Sequence, residues 1–447
     1  MISLSVRAAA RRGAALLLGL ALLLSGCAGM ELPWLPQPTL PPTETPTAAT
    51  PTPVATAASA DPQTTPTAPV DLNLITIWLP PQFDPSVDTP AGQALRARLE
   101  AFVEANPGME VQVRLKALDG PGGLLESLAA ASVAAPAAMP SLIALPRTDL
   151  ETAALKGLVL PVDSLSAYPQ EADWYPYARQ LVEIQGATFG LPFGGDALLM
   201  VYRPSRMGTA PATWEALLGL GHPVAFTAAD PQAMLTLNLY MALDGVVADE
   251  HNRPMLQPDV LARALKLYSD GAQPGVFPYS LSQIQTDRQA WQAYEDQLGQ
   301  WLVTWSSLYL SELPPESAAA VLPSLEGNSL SLATGWVWAL SDPNAERRET
   351  SVRLAEFLSD PIFLAQWNAG LGLLPTTPSA LARWPNASLK PLLEDVARMA
   401  QVRPMNDVMA GLAPALEAAT LQVIKRESDA GQAARAAAER LAIPTNK

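Results

Sequence analysis

Apolar residues recur along the chain in blocks whose period alternates between two and about three and a half, and each change of period marks a change of element. Leu72 to Leu79 (LNLITIWL) predicts a strand that the Pro80-Pro81 pair closes. From Gly92 to Asn106, Leu95, Leu99, Phe102 and Val103 fall at helical spacing, and Asn106-Pro107-Gly108 stops the helix. Val111, Val113 and Leu115 alternate with Gln112, Arg114 and Lys116, the pattern of a half-exposed strand. Ser141 to Leu145 predicts the next buried strand, and Thr148 with Glu151 reads as a capping box opening a short helix that Gly157 ends. The stretch Gly186 to Arg203, GATFGLPFGGDALLMVYR, runs from a turn through an apolar strand with one acid, Asp196, at its middle. A carboxylate there is costly to bury alone, so polar groups should meet it.

Further on, the pattern predicts a short helix over Pro211 to Leu218, an amphipathic helix over Pro258 to Ser269, a strand and turn in Gly299 to Leu310, and an alternating strand over Leu330 to Leu340. Helices over Arg347 to Leu358 and from Pro361 follow, then the block GLGLLPTTP from Gly370 to Pro378.

Several of these blocks carry recognisable motifs. They are Phe-x-x-x-Asn-Pro-Gly at the end of the first helix, the turn made by Gly186, Gly190 and Pro192 ahead of Asp196 and Tyr202, Pro-x-Thr-Trp-x-x-Leu from Pro211, and Gly-x-x-Pro-Thr from Gly372. In order and content, over roughly 72 to 381, the chain resembles the bacterial extracellular solute-binding proteins of the sugar type, the receptors of ABC importers. That resemblance implies an α/β, two-lobed periplasmic-binding-protein-like fold of type II, each lobe a mainly parallel sheet flanked by helices, with the ligand cleft between lobes. Its first lobe would take residues 71–195 and 328–382, its second 196–327, and a helical tail, 383–447, would pack on the second lobe. Where the family has a Pro-Asp pair before the third strand this chain has Pro140-Ser141, so no ligand contact is carried over in that loop.

Composition narrows the setting. Apolar residues make up 49% of the 447 and charged ones only 16%, which suits a large folded core. Arg7, Arg11 and Arg12 precede an apolar run, Ala14 to Leu24, too short to span a bilayer and suited to a secretory signal over residues 1–26. Leu24-Ser25-Gly26-Cys27 then resembles a bacterial lipobox, which implies cleavage before Cys27 and its acylation. As the single cysteine, Cys27 leaves neither an intramolecular disulfide nor a thiolate metal site. Residues 27–70 would form the lipid anchor and a semi-rigid tether, since Pro33 to Pro69 is rich in Pro, Thr and Ala without apolar periodicity. The expected place is the extracytoplasmic face of the cell membrane, held by lipid. Loss of the three arginines deepens the net charge from -15, a balance that repels phosphate backbones and argues against nucleic acid.

Candidate ligand contacts follow from position. Asp196 stands where the chain would cross between lobes, and a carboxylate can accept hydroxyl hydrogen bonds from a sugar. Trp305 beside Ser306 and Trp336 beside Gly335 pair an indole face, suited to a pyranose, with a small residue that would leave backbone open. Trp78 ends the first strand and would face the cleft, whereas Trp338 and Tyr202 read better as packing. Core packing is the competing role for every one of these rings. The blocks holding Asp196, Trp305 and Trp336 contain no Lys or Arg nearer than Arg203, so a neutral carbohydrate is expected.

Signs of catalysis are few. The two histidines, His222 and His251, sit among turn residues without metal spacing, and nucleophile-elbow, phosphate-loop and dinucleotide glycine motifs are missing, so no enzyme, metal or cofactor is expected. The reading is a monomeric lipoprotein receptor that closes on a carbohydrate and hands it to an ABC permease. Its rivals are a secreted glycan hydrolase and a sensor or structural lipoprotein without transport.

Overall fold

Two long antiparallel strands, β6 (Leu191–Tyr202) and β10 (Ser331–Leu340), form the spine of the molecule. The computed structural model describes residues 71–442; the signal segment, Cys27, the tether and residues 443–447 lie outside the described residues. The remaining strands are β1 (Leu74–Leu79), β2 (Glu110–Leu115), β3 (Leu142–Pro146), β4 (Glu183–Ile184), β5 (Ala187–Thr188), β7 (Val224–Ala225), β8 (Trp301–Trp305), β9 (Ala318–Ala320) and β11 (Ala400–Val402). A nine-stranded sheet runs in the order β2-β1-β3-β10-β6-β8-β7, with β11 beside β10 and β9 beside β6, while β4 and β5 make a separate hairpin. Parallel pairs occupy the two ends of the sheet, β1 with β2 and β3, and β7 with β8. Antiparallel pairs gather where β6 and β10 pass through its centre.

Each end of these strands belongs to a different hydrophobic cluster. Phe193 of β6 and Trp338 of β10 pack in a first cluster with Ile77, Leu142 and Trp367, whereas Met200 and Leu332, further towards the other end, pack in a second with Trp214, Tyr268 and Leu412. These are the two lobes. Behind the sheet, Leu199 and Val201 on the opposite face of β6 extend the first cluster, so the lobes share packing on that side.

The crossing is held by close backbone approach. Gly195 exchanges hydrogen bonds with Leu374, N–H to O at 2.8 Å and back at 2.7 Å, so the Gly-x-x-Pro-Thr block braces β6. Gly190 takes φ 118°, and a side chain there would collide with the Trp338 backbone, which explains the glycine in the turn ahead of β6.

Two expectations change. The helix after β3 spans Arg147–Leu155, starting one residue before Thr148, so Thr148 and Glu151 form no capping box and Gly157, at φ 67°, still ends it. The tail divides between lobes: Leu393 and Val396 of the helix Lys390–Met399 join the first cluster, while the helices Asn406–Ile424 and Ala430–Ala442 join the second. The chain therefore passes between lobes a third time, around residues 403–405.

Candidate functional site

Between the two clusters lies a cavity of about 680 Å³, within the size range of small-molecule sites. Thr148, just after β3, and Thr334 of β10 line it from the first lobe and the spine. Pro231, Gln232 and Met234, with Met409, Ala410, Ala413 and Pro414 of the helix Asn406–Ile424, line it from the second. Trp305, at the carboxyl end of β8, and the pair Arg403 and Asn406 complete the wall. The cavity thus lies past the carboxyl ends of β3 and β8, where α/β sheets characteristically hold ligands.

Asp196 sits opposite Thr334 in the β6–β10 register, on the same face, but its carboxylate is already engaged. Ser306 Oγ donates to Oδ1 at 2.8 Å, the Ser307 N–H donates to Oδ1 at 2.9 Å, and Ser307 Oγ donates to Oδ2 at 2.5 Å. Ser306 Oγ also accepts from the Ala197 N–H at 3.1 Å. The acid therefore caps the turn from β8 into the helix Ser306–Glu312 and fixes the chain immediately after Trp305. Burial raises its pKa, and the Ser307 hydroxyl, the Ser307 N–H and the Ser306 hydroxyl pull it back in that order. A polar partner does meet this acid, and it is protein.

The other candidates separate. Trp78 is only 3% exposed, packed in the first cluster with Lys116 Nζ 4.8 Å from its ring, because β1 is flanked by β2 and β3 and covered on both faces. Its burial removes it from ligand contact. Ser306 is fully buried, and its hydroxyl is spent on Asp196 and Ala197. Gly335 is buried against protein, since a Cβ there would lie 2.6 Å from the Gly194 carbonyl oxygen and from Leu181 Cδ1, so it opens no backbone to a ligand. Trp336 is part-exposed and meets Phe83 edge-on with ring centres 4.8 Å apart; it lies two residues along β10 from Thr334. Trp338 is 1% exposed and stacks on Trp367 at 5.7 Å, and Tyr202 packs on Trp301 at 5.5 Å. Of the candidates, Trp305 alone lines the cavity.

Of the residues in the wall, sequence reasoning named only Trp305 as a ligand contact. Arg403 and Asn406 come from a tail without motifs, and Thr148 was read as a helix cap. Together they form a network: Arg403 donates to Asn406 Oδ1, the Asn406 N–H donates to Glu151 Oε1 at 2.7 Å, and Asn406 Nδ2 donates to the Thr148 carbonyl at 2.8 Å. Arg147, one residue before Thr148, stands 3.9 Å from Glu151 Oε2. The premise for a neutral ligand, that no base lies near the site, fails here because Arg403 arrives from outside the blocks that premise considered.

A cleft between two α/β lobes, walled by one indole, polar side chains and apolar residues, defines a binding protein of the two-lobed type. The chain belongs to the bacterial extracellular solute-binding proteins, whose family model matches residues 97–395. A search of curated protein sequences finds no match. Among solved structures, the sugar-binding protein MalE from Xanthomonas citri aligns with TM-score 0.69 and 18% identity over 82% of this chain and 96% of that one. The cyclic alpha-maltosyl-1,6-maltose binding protein from Arthrobacter globiformis aligns with 0.67 and 15% over 82% and 97%. Maltose-bound MalE3 of T. maritima aligns with 0.62 and 18% over 83% and 99%. At these identities the likeness concerns the fold.

Proposed function

We propose that this chain is the substrate-binding lipoprotein of an ABC importer, capturing a mono- or oligosaccharide beside Trp305 by lobe closure and delivering it to the permease subunits. Acylated Cys27 anchors it to the cell membrane at the extracytoplasmic face, and the Pro/Thr-rich tether lets the lobes reach the permease. The observation that carries this reading is a part-exposed indole, Trp305, in the wall of a cavity between the lobes of a solute-binding family member. An indole face suits the apolar face of a pyranose, and Thr148, Gln232 and Thr334 offer hydroxyls and an amide for its rim. Asp196 acts through the Ser306-Ser307 turn, which positions Trp305. That solved proteins of like fold, MalE and the cyclic alpha-maltosyl-1,6-maltose binding protein, are named for sugars supports sugar as the ligand class.

Closure turns on the segments 194–197 and 326–330, joined here by a third, 403–405. Glu326 and Gly327, at φ 52° and 89°, make the tight turn that feeds β10. A thermal-shift screen of sugars identifies a ligand, since one at a hundred times its Kd adds about 2.7 kcal/mol. Small-angle scattering then tests closure: the radius of gyration falls at saturation, and an unchanged radius refutes it.

A further inference from the structure

The cavity wall and the layer behind it are electrostatically unbalanced. Two guanidiniums, Arg147 and Arg403, share one carboxylate, Glu151, which is 2% exposed. Glu151 also accepts from the Asn406 N–H, so it does not answer either arginine fully. Arg147 is 6% exposed, and neither its Nε nor its Nη1 has a hydrogen-bond partner. Arg403, which lines the cavity, has its side chain tied only to Asn406 Oδ1, a neutral acceptor. Arg403, part-exposed at the cavity wall, has no carboxylate of its own in contact, and an anion there would pair with it by charge-assisted hydrogen bonds.

No acid lines the cavity to supply it. The nearest along the spine, Asp196, is held by Ser306 and Ser307. Burial lowers the pKa of both arginines, with Glu151 opposing that effect at each, yet a guanidinium stays charged at neutral pH.

We infer that the ligand carries an anionic group, a carboxylate of the uronate kind, which pairs with Arg403 while its ring lies against Trp305. This inference rests on the carbohydrate reading and narrows it. A planar fork suits a carboxylate, and Thr148 stands beside it to take a neighbouring hydroxyl. Glu151 and Arg147 act from behind, setting the net positive charge at this end of the cavity.

The test is calorimetric titration of the full chain with paired disaccharides that differ only in a carboxylate or a hydroxymethyl group at C6, digalacturonate with galactobiose and cellobiouronate with cellobiose. At least one uronate should bind about tenfold or more tightly than its neutral partner, the margin a charge-assisted hydrogen bond supplies in a buried site. Arg403→Gln should remove that margin, so that the two members of each pair bind about alike, and rising salt should weaken only the uronate. The empty Arg403→Gln protein should melt no lower than wild type, since a surplus charge has gone. If that variant folds poorly, Arg403→Lys, which keeps the charge but loses the fork, should give an intermediate preference. Neutral sugars binding as tightly as uronates, with Arg403→Gln without effect, would overturn the inference and leave the carbohydrate reading standing. No binding by any of the four sugars, with none found in the wider screen, would overturn both.

Discussion

Asp196 and Ser307 are joined twice, the Ser307 N–H donating to Oδ1 at 2.9 Å and its hydroxyl to Oδ2 at 2.5 Å. The link fastens β6 to the turn that follows Trp305. Replacing Asp196 by Ala strands the Ser306 and Ser307 donors in a buried site and should cost about 1–3 kcal/mol of stability. Chemical denaturation checks it. A cycle with Ser307→Ala should show coupling of about 0.5 kcal/mol or more, since the two residues share one network. Unchanged stability in Asp196→Ala would free the carboxylate for a ligand after all.

Glycine at 195 is a packing requirement. A Cβ there would run into the hydroxyl of Tyr177, which is fully buried and donates to the Pro375 carbonyl at 2.7 Å. Gly195→Ala should therefore cost about 1–3 kcal/mol. Gly219, on the exposed side of the helix Trp214–Leu220 with open space around it, is the control, and Gly219→Ala should stabilise by about 0.5–1 kcal/mol. Thermal melts of both variants decide; equal effects would refute the close approach.

Asp287 brings a pH dependence. Burial first, then the neighbouring Asp230 and Asp196, push its pKa from 3.8 to about 6. The native state thus keeps this proton to higher pH than the unfolded chain does, and stability falls as pH rises from about 4 through about 6. Asp287→Asn removes this residue's share of that fall, leaving the share of Asp149, whose pKa burial also raises to about 6. The variant's melting temperature relative to wild type should climb across this window and stay level above it. A flat difference from pH 4 to 7 would contradict the shift.

Much of this architecture was legible because its causes are local. Alternation at Val111, Val113 and Leu115 gave β2, helical spacing at Leu95, Leu99 and Phe102 gave the first helix, and the Gly186 to Pro192 turn announced β6. The site was less legible because it is assembled from chain segments far apart. Period alone does not separate a tryptophan in a cleft from one in a core: Trp78 and Trp305 both end strands, yet β1 is covered on both faces whereas β8 ends at the cavity. Arg403 gave no signal, since a base in a motif-free tail acquires meaning only when β11 brings it beside Thr334 and Thr148. Asp196 was conspicuous, but for what it holds in place.

The central claim, that the cavity beside Trp305 holds a sugar, is tested most directly by calorimetry on wild type and Trp305→Ala with a sugar from the screen. Removing the ring should weaken binding by about 1–3 kcal/mol while the empty protein melts within a few degrees of wild type. Wild-type affinity in Trp305→Ala would contradict the account and move the site elsewhere.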